Sequence, residues 1–445
     1  MKLDLLVKGG TLIDPVQGSE SPANLGIAGK RVAYLGAESP DARRVIDVSG
    51  LYVAPGFIDT HMHDEELDEP DVIEKALLAQ GVTTALAGNC GLGPLIDAYA
   101  PKRRSPWLKL GYLTGHLALR KVVGIEDLYR PADTSETERM REILRSDLRR
   151  GSFGLSFGLE YAPNTSAEEI AALVSVLVGM PRRWVSVHIR TDGPECVGAV
   201  RETIDIARRH GVRLQVSHIG SMTAFGFTAE AVGMIEAAKA EGVDLTFDCY
   251  PYDAFCTTIG SAALDPGFEK RWNKGLEALE VATGKYKGRF LTPESYADLR
   301  ANDPEALIIA HIMNDAEIRK CLAHPSCAIG SDGILHHGEG HPRAAGSFPR
   351  ALRIIREAGL SWPEAIRHAT SLPASMTWLE GGRLVEGAAA DLVAFDPATL
   401  RDRATFADQL APPEGIAYVV VDGAVAVDHG EVAPEPAGTL LFRSA

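Results

Sequence analysis

Helix, glycine, strand: this unit recurs along the middle of the chain, while glycine-broken strand runs occupy both ends. Together the two patterns predict an α/β protein, a (β/α)8 TIM barrel with a small β-sandwich domain built from both termini. Length agrees, because 445 residues with 45% hydrophobic content exceed one ordinary domain and can fill a large core. The predicted division places 1–54 and 383–445 in the small domain and 55–382 in the barrel. Residues 262–306 fit the repeat poorly and read as an insertion over the site.

At the N-terminal end, Leu3–Val7, Leu25–Ala28, Arg31–Leu35 and Val45–Val48 are short strand runs. Gly9-Gly10, Gly29-Lys30 and Ser49-Gly50 predict the turns between them. In the middle, residues 135–150 predict a helix with Ser135 and Glu138 as a capping box. Its Met140, Ile143, Leu144 and Leu148 share one face, and Gly151 stops it. Ser166 and Glu169 open a second helix running toward Gly179. Val197, Val200, Ile204 and Ala207 mark a third, ending near Gly211, and Thr228–Glu241 a fourth before Gly242. Each stop leads into a strand: Phe153–Phe157, Trp184–His188, Val212–His218 and Val243–Asp248. At the C-terminal end Asp391–Asp396 and Tyr418–Val421 read as strands and Asp422-Gly423 as a hairpin turn. Neither β-rich end buries a core alone, so the two are expected to form one domain.

The net charge of −15 argues against nucleic acid or an anionic membrane as partner. Charges interrupt the first residues too early for a signal-peptide core, and no window is long and apolar enough to span a bilayer. A cytoplasmic protein is expected, with an oligomer left open. Six cysteines in a chain this long do not make a disulfide framework.

The chemistry gathers where predicted strands end. Gly56-Phe57-Ile58-Asp59-Thr60-His61-Met62-His63 places two histidines one residue apart after an apolar run, so on a strand they face the same way. Paired imidazoles suit a divalent transition metal. A lone His-x-His is weak evidence, but three further strand runs end in His188, His218 and Asp332. In this fold class the C-terminal strand ends carry function, so four such ends suggest one metal pocket. Thr83–Ala87 leads into Gly88-Asn89-Cys90-Gly91, where a thiolate would suit zinc and flanking glycines let the backbone bend. Taken alone, Cys90 is a small buried residue; in this company the ligand reading is favoured. Asp332 at a strand end can accept a proton from an activated water, although Ser-Asp-Gly is also ordinary turn chemistry. The stretch 332–343, rich in histidine, reads as a flexible active-site loop rather than a second metal site. Its Arg343 offers a fork matched to a carboxylate. Tyr161 and Tyr252 follow strands and either reach the same ligand or pack at the rim.

Several segments together resemble the amidohydrolase superfamily, and within it the N-acyl-D-amino-acid deacylases (D-aminoacylases). They include Ala54–Asp64, Gly88-Asn89-Cys90-Gly91, Gly115-His116 with Leu119-Arg120, Gly154–Tyr161, His188-Ile189-Arg190 and Ser217-His218. Asp248–Tyr252, His311-Ile312-Met313, Gly330–Gly333 and His341-Pro342-Arg343 continue the likeness over nearly the whole chain. The resemblance implies one or two zinc ions. Cys90, His188 and His218 would hold the tighter one, and His61, His63 and Asp332 the second. It also implies that Tyr161, Tyr252 and Arg343 bind the substrate carboxylate.

Two departures from the family pattern stand out. Members acting on acidic D-amino acids tend to carry a lysine two residues after the second of these histidines, where this chain has Gly220. A preference for acidic side chains is therefore not expected. Many amidohydrolases also bridge two metals with a carboxylated lysine at the end of the fourth strand, and this chain has none there. Glu160 either substitutes as a bridging ligand or faces away. The expected reaction is zinc-dependent hydrolysis of N-acyl-D-amino acids, with Asp332 as base and then acid. The alternatives are a cyclic-amide hydrolase of the hydantoinase or dihydroorotase type, and a catalytically dead barrel serving as an assembly subunit.

Overall fold

Parallel strands form the centre of the molecule, in two arcs. The computed structural model describes residues 2–64 and 70–444. One arc pairs Phe57–Asp59, Val82–Ala87 and Lys109–Tyr112. The other pairs Thr114–Gly115, Gly154–Gly158, Trp184–His188, Arg213–Val216, Leu245–Cys249 and Cys327–Ile329, all parallel. The arcs are continuous through residues 109–115 at one junction and meet at the other through a parallel bridge between Met62 and Gly333. These strands are almost wholly buried on both faces, as near-continuous apolar runs dictate. The outer edge of Lys109–Tyr112 is covered by the C-terminal segment: Leu110 N donates to Thr439 O (3.0 Å) and Leu441 N to Leu110 O (2.7 Å).

Helices connect the strands where the apolar periodicity placed them: Thr134–Arg149, Ala167–Ser175, Cys196–His210 and Thr228–Ala240. The first cap differs from the expected Ser135/Glu138 pair. Asp133 is the N-cap, accepting from Glu136 N (2.8 Å), while the Glu136 carboxylate accepts from Asp133 N (2.9 Å). Two overlapping x-x-Glu patterns compete here, and the aspartate wins. Ser166 caps its helix as expected, but that helix stops at Ser175, before Gly179, and the Glu169 side chain serves another partner. Gly211 closes the third helix at φ 60°.

Both termini contribute to one nine-stranded sheet. N-terminal strand Tyr52–Pro55 pairs antiparallel with C-terminal strand Leu392–Phe395, which joins the two ends. The expected turn at Gly9-Gly10 is instead a register shift inside one long strand, Leu3–Asp14. Gly9 takes φ 84° and its N donates to Asn24 Oδ1 (2.8 Å), so the strand bulges and continues. Asp422 and Gly423, both at positive φ, make the predicted hairpin turn.

Residues 262–306 stand outside the parallel arcs. They supply helices Phe268–Trp272 and Pro293–Asn302 and strand Leu279–Val281. That strand joins a small antiparallel sheet with Phe255–Thr258 and Leu307–Ala310. Among the described residues no helix is long and apolar enough to cross a membrane.

Candidate functional site

His61 and His63 converge, but not because they share a strand: the strand Phe57–Asp59 has ended before them. Backbone pairing with the segment after Cys327–Ile329 sets their direction instead. Asp332 N donates to His61 O (2.7 Å) and His63 N to Gly333 O (2.9 Å). That interlock brings Asp332 Oδ1 within 3.3 Å of His61 Nε2 and 3.0 Å of His63 Nε2.

Cys90 reaches the same point from the Gly-Asn-Cys-Gly turn. Its Sγ lies 3.4 Å from His61 Nε2 and 3.3 Å from His218 Nε2. The turn passes so near the next strand that a Cβ on Gly158 would stand 2.1 Å from Cys90 O. Only glycine fits there. His188 closes its strand and sets its ring edge-on to His218, with centroids 4.6 Å apart. Cys90, His218 and Asp332 all take positive φ (53°, 31° and 49°), a backbone cost of order 1–3 kcal/mol each that is typical of functional positions.

These side chains form two buried ligand groups, His61/His63/Cys90/Asp332 and Cys90/His188/His218, the donor atoms of each lying within 4.8 Å of one another. Cys90 belongs to both. The set fits zinc on its own chemistry: imidazoles, a thiol and a carboxylate, buried and convergent. Further partners fix the rings, as metal-site histidines require. Ser221 Oγ lies 2.9 Å from His218 Nδ1, Asp248 Oδ1 3.4 Å from His61 Nδ1, and Glu160 Oε2 2.9 Å from His188 Nε2. His188 Nδ1 has no hydrogen-bond partner among the described residues, which leaves a donor atom for an ion.

The electrostatics are those of a cation site. Burial would raise the Asp332 carboxyl, but Arg343, His218 and the bonds from His61 and His63 hold it well below the usual carboxylate range. Burial likewise opposes ionisation of Cys90, and His61 and His218 override it, so the thiol is pulled well below its ordinary value. Arg343 Nη1 sits 2.8 Å from Asp332 Oδ2.

The candidate substrate contacts divide. Arg343 was expected in a flexible loop; it opens the helix Arg343–Glu357, behind a short hairpin formed by Leu335–His336 and Glu339–Gly340. Tyr161 lines the cavities at the site. Tyr252 lines neither: its hydroxyl donates to Pro342 O (3.3 Å) and its ring packs against Arg350 and His341. Tyr250 lines neither cavity either, but it is the tyrosine that neighbours Arg343. This ring lies against the Arg343 guanidinium (4.8 Å), and its buried hydroxyl has no hydrogen-bond partner among the described residues. The signal for Tyr250 was its position directly after the strand ending at Cys249; the Pro251 turn carries Tyr252 away. Glu160 is in neither ligand group and bonds His188 instead. His341 is also outside both groups and accepts from Arg343 N (3.0 Å).

Sequence reasoning missed Asp192, Arg271 and Trp272. Arg271 Nε lies 2.7 Å from Asp192 Oδ1, and Trp272 Nε1 donates to Asp192 Oδ2 (2.7 Å). Burial, then the nearby Glu160, push the Asp192 carboxyl up to about 8. The one sequence signal, for Arg271 and Trp272, was that 262–306 broke the β/α rhythm. Two cavities open beside the ligands. A small one, ≈ 20 Å³, is lined by Glu160, His188, Asp192 and Met222; a larger one, ≈ 390 Å³, is lined by His63, Leu92, Leu117 and Arg343. Tyr161, Cys256, Thr257 and Asp332 line both.

The amidohydrolase family profile matches residues 185–427. The chain is 35% identical to a D-aminoacylase of Alcaligenes xylosoxydans xylosoxydans, over 99% of this chain and 98% of that one. It is 32% identical to an N-acyl-D-glutamate deacylase of the same organism, over 100% and 97%. Among solved structures it is similar to the N-acyl-D-glutamate deacylase of Bordetella bronchiseptica, complexed with zinc and a phosphonate mimic of the tetrahedral intermediate. That match has a TM-score of 0.89 and 29% identity and covers 100% of both chains.

Proposed function

Because this chain belongs to the amidohydrolase family and, within it, to the N-acyl-D-amino-acid deacylases, we propose that it hydrolyses the amide of N-acyl-D-amino acids, releasing a carboxylate and a free D-amino acid. The observation that carries this reading is the convergence of both ligand groups on Cys90, with Arg343 beside them.

His61, His63, Cys90, His188, His218 and Asp332 would hold zinc, which when bound would supply Lewis acidity to the acyl carbonyl and to an attacking water. Cys90, common to both groups, would serve both metal positions where many amidohydrolases use a carboxylated lysine, and this counts against the cyclic-amide reading. Glu160 is then an orienting partner of His188. Asp332 takes a proton from the water and passes it to the leaving nitrogen, which departs poorly until protonated. Arg343 keeps Nε without a hydrogen-bond partner among the described residues, and with Tyr161 and Tyr250 it is suited to hold the substrate carboxylate. No acidic side-chain preference is expected, since Gly220 stands where a lysine would serve it.

The same reading closes the two arcs into a (β/α)8 barrel across the Met62–Gly333 bridge, with 55–382 as barrel, 1–54 plus 383–445 as the small β domain and 262–306 as the insertion. It also places the enzyme in the cytoplasm, acting on a small molecule. Amine release from paired N-acetyl-D- and N-acetyl-L-amino acids by zinc-loaded protein is the test. Turnover confined to the D series is the expected result; zinc-bound protein inert toward both would reject the reading and move the search to cyclic amides.

A further inference from the structure

Tyr129 stands at the rim of the larger cavity, a large ring left 46% exposed on the connection between the helices His116–Val122 and Thr134–Arg149. An aromatic this exposed is ordinarily free to turn, yet this one is fixed at both ends. Its backbone oxygen accepts from Asn164 Nδ2 (2.6 Å) and its N donates to Asp127 Oδ1 (2.8 Å). Its hydroxyl donates to Asp265 Oδ2, and Arg300 Nη2 holds the other oxygen of that carboxylate at 2.7 Å. Arg300 in turn donates to Leu264 O (2.9 Å), as does Tyr296 (2.6 Å). Asp265, Tyr296 and Arg300 all come from the 262–306 segment, so two stretches far apart in sequence clasp across the cavity mouth.

We propose that Tyr129 is a specificity-determining residue: its ring, held by Asp265 and Arg300, is the outer wall of the larger cavity and limits the length of the substrate side chain lodged there. This rests on the deacylase reading, in which Arg343, which lines only the larger cavity, takes the substrate carboxylate; the side chain is assigned to that ≈ 390 Å³ space because the ≈ 20 Å³ cavity lined by Ser221 and Met222, next in sequence to Gly220, is too small to hold one. Leu92, Leu117 and Leu128 give the cavity an apolar wall, while Thr258, Ser261, Glu305 and His336 add polar lining, so the ring of Tyr129 acts as a steric stop rather than through a hydrogen bond to the side chain. Pockets discriminate size by steric fit at roughly tenfold or more per misfitted group.

The test compares kcat/KM of the zinc-loaded parent, Tyr129→Ala and Tyr129→Phe on two series. One varies the side chain (N-acetyl-D-alanine, -leucine, -tryptophan) and the other the acyl group (formyl, acetyl and butanoyl on D-leucine). Tyr129→Ala should raise the tryptophan-to-alanine ratio by about tenfold, with the acyl series unmoved. Tyr129→Phe, which keeps the ring but loses its bond to Asp265, should raise the ratio by less than Tyr129→Ala. An unchanged ratio in Tyr129→Ala, or a change confined to the acyl series, overturns the proposal while leaving the deacylase reading intact. A parent inert toward both series overturns that reading and the proposal with it.

Discussion

Asp332 answers three neighbours at once: one oxygen faces His61 and His63, the other faces Arg343. Its charge is therefore structural as well as chemical, and Asp332→Asn separates the two roles. The amide keeps the shape but cannot accept a proton, so kcat should fall by about 10²–10⁴. Zinc bound through Cys90, His188 and His218 should stay, because that group does not include Asp332. Metal analysis beside steady-state rates checks this, and near-normal turnover would refute the proton transfer. Gly220 carries a second prediction. A Cβ there would lie 2.5 Å from Ile318 Cδ1 and 2.7 Å from Cys249 Sγ, so the neighbours already occupy the space a lysine stem needs. Gly220→Lys should cost about 1–3 kcal/mol through overpacking and lower the urea midpoint without conferring turnover of N-acetyl-D-glutamate. A stable variant that gained acidic substrates would show that helix Ile219–Thr223 can yield. At this scale the ligand types were legible, because strand-end His, Cys and Asp are rare enough to notice. The choice between Tyr250 and Tyr252 was not, since it turns on the backbone path through Pro251.

Helix Ala167–Ser175 shows how one residue's sequence signal and its structural use can diverge. Glu169 reads as the second half of a capping box, but its side chain turns inward and meets His116 Nε2 at 2.8 Å and Arg120 Nη1 at 2.7 Å. Ala132 N donates to it as well (3.1 Å). The Gly115-His116…Arg120 motif thus pins helix His116–Val122 to the next helix layer, which no local pattern could reveal. Burial works against the Glu169 charge, but His116, Ala132 and Arg120 outweigh it and bring the carboxyl down to about 2. A carboxyl depressed from an unfolded value of 4.5 contributes stability that is fully present above that pH and lost as pH falls toward 2. The amount is of order 3 kcal/mol. Glu169→Gln should lower the urea midpoint at pH 7 and flatten its decline between pH 5 and pH 3. A variant whose midpoint falls as steeply with acid as the parent's would assign the acid lability to other groups.

Across the whole molecule, what periodicity could show was which segments are strands and helices and that both ends are β-rich; what it could not show was how the ends meet the centre. Lys109, at the start of a central strand, is buried and bonds Asp391 of the terminal sheet, with Asp422 Oδ1 3.8 Å away. Asp391 also accepts from Asp422 N (2.9 Å), and its backbone O accepts from Gly56 N (2.9 Å). One buried residue, Asp391, thus ties the hairpin turn at Asp422-Gly423 and the third central strand through its carboxylate, and the entry to the first central strand through its backbone oxygen. Partners 282 residues apart leave no mark on local sequence. Removing one side of such a pair strands a buried charge, which costs about 3–5 kcal/mol, whereas replacing both with neutral groups of similar size is far milder. Lys109→Met should therefore lower the urea midpoint sharply, and Lys109→Met with Asp391→Asn should recover much of the loss. Turnover by the folded fraction should persist, because Lys109 lies at the end of its strand away from the ligand-bearing turns. If the double variant is no more stable than the single one, the ion pair is not what binds the terminal sheet to the parallel core, and backbone bonds such as Gly56 N to Asp391 O must carry that junction.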